Sequence, residues 1–399
     1  MFAIFAMLYA FGQFQRYSGG VLMPELVRDF ALTPGQVGAI GAALFFSAAC
    51  VQLPVGVLLD RYGARRTMPA VTLFGVAGIV VFSFAGSFTT LLLGRLMMGL
   101  GFSAVMMSAL VILARWTPRA RFATVWSRLL AIGNIGGIMA TAPLAAAIAG
   151  IGWPTAMLGT GVAALAIIAY GSWVIRDAPP GYVPAAAGPA SLGEAVQGLV
   201  QILKSRPFQR ILAMGLVAYA PSMTLIGLWA GPYLADVHGL DRVERGHVLF
   251  LMAVASPFGI LAFGPLDRLF GSRKRVVIGG ALASAGCFAL LALLDAPPLA
   301  VAVGLFVAAT FLQGYQVPLA AHCRASFADH QVGRASTALN LTAIMGVALM
   351  QVIASLVIDG MAGPGGPEEG AYQAAFAVVA SLILAAMLVY RRADDIPPE

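Results

Sequence analysis

Twelve apolar stretches, each near the 20 residues a helix needs to cross about 30 Å of hydrocarbon, leave this chain few ways to fold. They cover roughly residues 2–25, 37–59, 67–88, 91–113, 122–148, 154–175, 208–234, 247–266, 275–294, 298–322, 335–358 and 370–390. Charged residues are 10% of the 399-residue chain and hydrophobic residues 60%, whereas globular domains carry about 25% charged residues. A soluble core has no use for so much apolar sequence, so the chain reads as an all-α membrane protein of twelve transmembrane helices. Pro54, Pro143, Pro221, Pro257 and Pro318 fall inside the stretches, where membrane helices tolerate them as bends. One polar break at 176–207 separates six spans from six. It divides the chain into an N-terminal six-helix bundle at 1–175, a cytoplasmic linker and a C-terminal six-helix bundle at 208–399. Within the break, Leu192, Val196, Leu199, Val200 and Leu203 recur at helical spacing, so 191–204 is either a passive tether or a helix lying in the membrane interface.

The net charge of +7 does not point to nucleic acid, because the cations lie in short loops and not on one face. Eighteen of the 24 lysines and arginines fall in the even-to-odd loops, the linker and the tail. Only Arg28, Arg242 and Arg245 lie on the opposite side. By the positive-inside rule both termini are expected in the cytoplasm, in a bacterial inner membrane. Residues 1–12 lack the basic start of a cleavable signal, and the apolar run continues past Gln13 and Arg16 to Pro24, so the first span is expected to be retained. Cys50, Cys287 and Cys323 sit in apolar runs without metal-ligand spacing. No phosphate loop or hydrolase elbow appears. Neither an enzyme nor a bound cofactor or metal is expected.

The hydrophilic turn Gly56-Val-Leu-Leu-Asp60-Arg61-Tyr-Gly63-Ala-Arg65-Arg66 joins the second and third spans, and its Asp-Arg pair recurs 207 positions later as Asp267-Arg268, followed by Gly271 and Arg273-Lys274-Arg275. Topogenic charge alone explains the arginines but not the acid beside them. A charged cluster at a helix end can pair with a neighbour in one conformation and release it in another, which makes Asp60, Arg61, Gly63, Arg65, Arg66, Asp267 and Arg268 gating candidates. This turn, at this place between spans and repeated in the second half, resembles the signature loop of the major facilitator superfamily. The run Leu93-Gly94-Arg95-Leu96-Met-Met-Gly99-Leu-Gly101 resembles the same superfamily's fourth-helix arginine motif. That resemblance implies two bundles related by an axis along the membrane normal, a mid-membrane site lined by the first, fourth, seventh and tenth helices, and alternating access. It makes Arg95 a proton-coupling candidate, against the reading of an arginine bonded to backbone carbonyls. The antiporter pattern is missing from the fifth span, where Gly133-Asn134-Ile-Gly136-Gly137 stands.

Arg16 lies about 21 Å into the first span at 1.5 Å per residue, near mid-bilayer, where an arginine costs at least about 3 kcal/mol to insert. No acid in the same span is near enough to neutralise it, since Glu25 is nine positions on. It either pairs with another helix, snorkels, or faces a cavity and takes its anion from a ligand. Phe14-Gln15-Arg16-Tyr17-Ser18-Gly19-Gly20-Val21-Leu22-Met23-Pro24 resembles the first helix of the superfamily's organic-anion branches, the anion:cation symporters among them. Pro24-Glu25-Leu26-Val27-Arg28-Asp29-Phe30 is similar to the bacterial intraphagosomal amino-acid transporter group. The phosphate antiporters of the family have a second arginine in the seventh helix; residues 213–234 have none. This favours a mono-carboxylate or zwitterion over a doubly charged phosphate.

Further binding candidates are Gln13, Arg128, Asn134, Tyr219, Gln313, Tyr315 and Gln316. Arg128 is either a second anchor or close enough to the cytoplasm to snorkel. No carboxylate stands inside a span away from an end, so coupling rests on Arg95, Glu25, His322, the substrate's own proton or a counter-substrate. The expectation is a monomeric secondary transporter, a symporter by its resemblance, carrying a small organic anion or zwitterion through the lipid bilayer. Efflux of amphipathic compounds and a non-transporting receptor or assembly protein on the same fold are the alternatives.

Overall fold

The computed structural model describes residues 1–179, 192–363 and 366–397. Among them, eleven helices are long and apolar enough to cross a membrane. The twelfth crossing is the first. It is interrupted at Ser18, into α1 (Phe2–Tyr17) and α2 (Gly19–Phe30). Ser18 keeps helical dihedrals, φ −60° and ψ −23°, although the hydrogen-bond ladder is broken after it.

The chain packs as two compact units, the first Met1–Ser18 with Ala43–Gln197 and the second Gly19–Ala42 with Gly198–Glu399. The first unit holds α1, most of α3 (Pro34–Tyr62), α4 (Ala64–Ser83), α5 (Phe88–Trp116), α6 (Arg119–Met139), α7 (Ala142–Ile151) and α8 (Trp153–Val174). Its core gathers Phe5, Leu8, Leu59, Met68, Ile112 and Ile168. With lipid on the outside, apolar burial gives little drive to bring spans together, so close backbone approach must do it. A Cβ on Gly75 would lie 3.0 Å from Gly101 Cα, and one on Gly94 would lie 2.8 Å from Phe82 Cβ, so α4 and α5 meet through their glycines. Gly133 and Gly136 likewise let α6 lie on Tyr9 and Ala10 of α1. Pro143, which has no N–H to give, stands in the first turn of α7 where the fifth span is broken.

The second unit takes the far halves of the first two spans. Gly19 and Gly20 of α2 meet the carbonyls of Gly227 and Ile226, and Gly231 meets the carbonyl of Gly20, with no room for a Cβ at any of the three. The Gly35 N–H of α3 donates to Asp359 at 3.1 Å, and Gly38 packs on Ser355. The remaining helices are α9 (Leu192–Lys204), α10 (Arg206–Val217), α11 (Ala220–Thr224), α12 (Ala230–Asp236), α13 (Arg242–Phe263), α14 (Leu266–Leu269), α15 (Arg273–Leu293), α16 (Leu299–Leu312), α17 (Gln316–Ala325), α18 (Asp329–Met361) and α19 (Glu369–Tyr390). The seventh span breaks before Pro221 and passes through a π-helical turn at Leu225–Trp229, while the tenth tightens into a 3-10 turn at Gln313–Tyr315 just before Pro318. In both, proline removes a ladder donor and the backbone re-pairs locally.

Of the segment expected to be a tether or an interfacial helix, Leu192–Lys204 is the helix α9, and Ser191 lies outside the described residues. Leu199 and Ile202 are buried and a Cβ on Gly198 would lie 3.2 Å from the Arg334 side chain, whereas Leu192, Val196 and Val200 are exposed.

Candidate functional site

Arg16 stands one residue before the end of α1. It is half-buried, and among the described residues it belongs to no ion pair. One turn earlier, Gly12 borders open space, with no heavy atom within 4 Å of where a Cβ would point. Three residues before Arg16, Gln13 is 6% exposed with an unpaired Oε1. Asn134 is half-buried on α6, between the glycines that pack on Tyr9 and Tyr17. Arg128 does not join them. It is exposed and lines a cleft of about 310 Å³ with Met1, Phe2 and Trp116, beside the start of the first span. Nine residues into α6 is about 14 Å of rise, against about 21 Å for Arg16 in α1.

Arg95 is 2% exposed. Its Nη1 donates to the Gln15 carbonyl at 3.1 Å, its guanidinium lies 4.9 Å from the Phe82 ring centroid, and its Nε and Nη2 have no partner. Gln15 is not among the residues that sequence reasoning singles out. It is 1% exposed and both of its amide atoms are unpaired. The only signal is its place beside Arg16.

In the second unit Tyr219 is half-buried and has an interaction partner, and Gln316 is half-buried. Gln313 is 2% exposed and donates to Ser256 Oγ, leaving its Oε1 free. The Tyr315 hydroxyl donates to the Val217 carbonyl at 3.2 Å and ties the tenth span to the seventh. His322 is 1% exposed, with Nδ1 2.6 Å from Tyr390 Oη and Nε2 2.9 Å from the Asp394 carbonyl. Both nitrogens have partners in the C-terminal segment. His322→Phe is expected to loosen that segment and speed its removal by carboxypeptidase, read by intact mass.

Glu25, 3% exposed in the middle of α2, is the centre of an ion cluster. Arg242 grips both its oxygens at 2.8 and 2.6 Å, Arg28 lies at 3.1 Å and Arg245 at 3.5 Å. The sequence places Arg242 and Arg245 on this side of the membrane but gives no sign of their partner, 217 and 220 positions away.

Of the gating candidates, Asp60, Arg61, Arg65 and Arg66 are exposed, and Asp60 has no ion pair among the described residues. Gly63 has φ +77°, and a Cβ there would lie 2.6 Å from Asp177 Oδ2. Asp177, just past the sixth span, accepts the Arg65 N–H at 2.9 Å, while Arg115 Nη1 donates to its carbonyl at 3.3 Å. The glycine supplies the left-handed turn and the space, and the carboxylate caps α4. Asp177→Ala should cost about 1 kcal/mol and lower the melting temperature in detergent by about 2–4 °C. In the second loop Asp267 is 8% exposed, accepts the Arg268 N–H at 2.8 Å and lies 3.5 Å from Arg273, while Arg268 is exposed.

These features define a polytopic helical membrane protein whose halves carry matching basic loops. The chain belongs to the Major Facilitator Superfamily, whose profile it matches over residues 5–266 and 211–399. That family consists of transporters, not enzymes. The chain is 22% identical over 276 residues to the probable sulfoacetate transporter SauU of Cupriavidus necator, covering 67% of this chain and 64% of that one, just under two thirds of its length. It is 23% identical over 311 residues to the membrane sensor protein UhpC of Escherichia coli, covering 71% and 69%. Its fold matches the crystal structure of a bacterial homolog of the human lysosomal transporter Spinster with a TM-score of 0.81 at 17% identity, covering 98% and 96%.

Proposed function

We propose that this protein is a monomeric secondary transporter for a small organic anion or zwitterion, with Arg16 as the counter-charge. One observation carries the reading: a mid-span guanidinium that is half-buried, bordered by open space at Gly12 and in no ion pair among the described residues. A cation left so is satisfied when the cargo brings the negative charge. The relative named for sulfoacetate supports a small acid as cargo. The absence of an ion pair on Asp60 among the described residues, beside the closed cluster around Glu25, supports gating by alternate breaking of charged contacts at the two membrane faces. The basic loops support a cytoplasmic location for both termini, in an inner membrane. Coupling is assigned to a proton or a counter-substrate.

Uptake of radiolabelled sulfoacetate, nicotinate and glycine into proteoliposomes, with and without an imposed pH gradient, tests this. Saturable uptake of at least one, abolished in Arg16→Ala, is expected; uptake unaffected by that change overturns the reading. The relative named as a membrane sensor favours a second reading, a receptor on the same fold. It predicts saturable binding without flux.

A further inference from the structure

The first span changes its allegiance at one residue. Met1–Ser18 packs in the first unit, and from Gly19 the chain packs in the second. At that residue the helical ladder is broken. The carbonyl of Gln15, which the Gly19 N–H would serve in an unbroken helix, takes two other donors: Ser18 Oγ at 3.1 Å and Arg95 Nη1 at 3.1 Å. On the far side of the break, Gly19 and Gly20 are seated against backbone carbonyls without room for a Cβ. The outer segment is held by these seats and by the Glu25 ion cluster, while the inner segment takes a charged hydrogen bond from the fourth span.

We infer that Arg95 is a positioning residue for Arg16: by capping the Gln15 carbonyl at the break in the first span, it fixes the register and direction of the guanidinium one residue on. This rests on the reading of Arg16 as the anion site. A 2%-exposed guanidinium with two unpaired nitrogens is a costly way to bind one carbonyl. The charge-assisted bond is stronger than a neutral donor's and holds where helical hydrogen bonding lapses. Phe82 below the guanidinium plane leaves it little freedom to turn.

Gly12 allows a test that does not need the cargo. In a protein with Cys50→Ser, Cys287→Ala and Cys323→Ala, Gly12→Cys puts a thiol in open space one turn from Arg16. Its rates with sulfonatoethyl methanethiosulfonate, an anion, and trimethylammonioethyl methanethiosulfonate, a cation, are each divided by the rate with free 2-mercaptoethanol. The anionic reagent should be favoured about tenfold, as expected for a cation at this range in a partly screened site. Arg16→Ala should bring the ratio to about one. Arg95→Met should lower it at least threefold, and Arg95→Lys should recover part of the loss. Ser18→Ala, which removes the other donor and no charge, should lower it about twofold and serves if Arg95→Met does not fold. A ratio unchanged in Arg95→Met, or in Ser18→Ala where the former does not fold, overturns the positioning role while leaving Arg16 as the anion site. A ratio unchanged in Arg16→Ala overturns the anion site itself. A Gly12→Cys thiol reached by neither reagent overturns the premise that Gly12 borders water.

Discussion

Arg16→Ala is expected to weaken cargo binding by on the order of a hundredfold. Truncating one member of a close charge pair costs about 2–5 kcal/mol, and every 1.4 kcal/mol is a factor of ten. Arg16 is only half-buried, so the lower part of that range applies. The fold should survive, because no protein acid among the described residues is left without a partner by the change. Arg16→Lys keeps the charge and loses the planar fork, and should fall between wild type and alanine. Isothermal titration of the purified protein with whichever acid the uptake screen identifies gives the ratio directly. A variant within threefold of wild type would remove Arg16 from the site.

Glu25→Gln is expected to have the second largest effect, on conformation and not on affinity. Its carboxylate holds Arg242 through two hydrogen bonds and stands near Arg28 and Arg245. An amide there would leave guanidinium groups facing no anion. Breaking a fully buried pair costs about 3–5 kcal/mol. Here the side chain of Arg242 is 27% exposed and that of Arg28 63% exposed, and solvent screening reduces the figure to about 1–3 kcal/mol. That is roughly a 5- to 150-fold shift away from the state in which α2 packs on α13. A Met23→Cys probe reads the shift, since Met23 is fully buried in α2 in this state. Its labelling by a membrane-impermeant maleimide should speed up by about the same factor in Glu25→Gln. An unchanged labelling rate would mean that the glycine seats of α2, and not the ion cluster, hold this end shut.

Some of this is legible along the chain and some is not. Apolar run length reveals the membrane spans, because hydrocarbon thickness imposes a length that local composition must meet. The first run reads as unbroken through Ser18, since a serine with helical dihedrals leaves no mark in composition. Arg16 is visible as an arginine out of place. Arg128 looks equivalent, and folding leaves it exposed beside Met1 and Phe2. Tyr315 and His322 stand out in the sequence for their chemistry alone, and folding assigns their polar atoms to the Val217 carbonyl, to Tyr390 and to the Asp394 carbonyl.

The sequence by itself determined that the chain is a helical membrane protein in two halves with duplicated basic loops, because the solvent acts on each segment separately. Only the tertiary structure decided which charges find partners: Glu25 with Arg242, Asp177 with the turn at Gly63, and Arg95 with the Gln15 carbonyl. Each joins positions 80 or more apart. Such a pairing is set by which glycines let two backbones approach, a property of two helices together that no single stretch of residues carries.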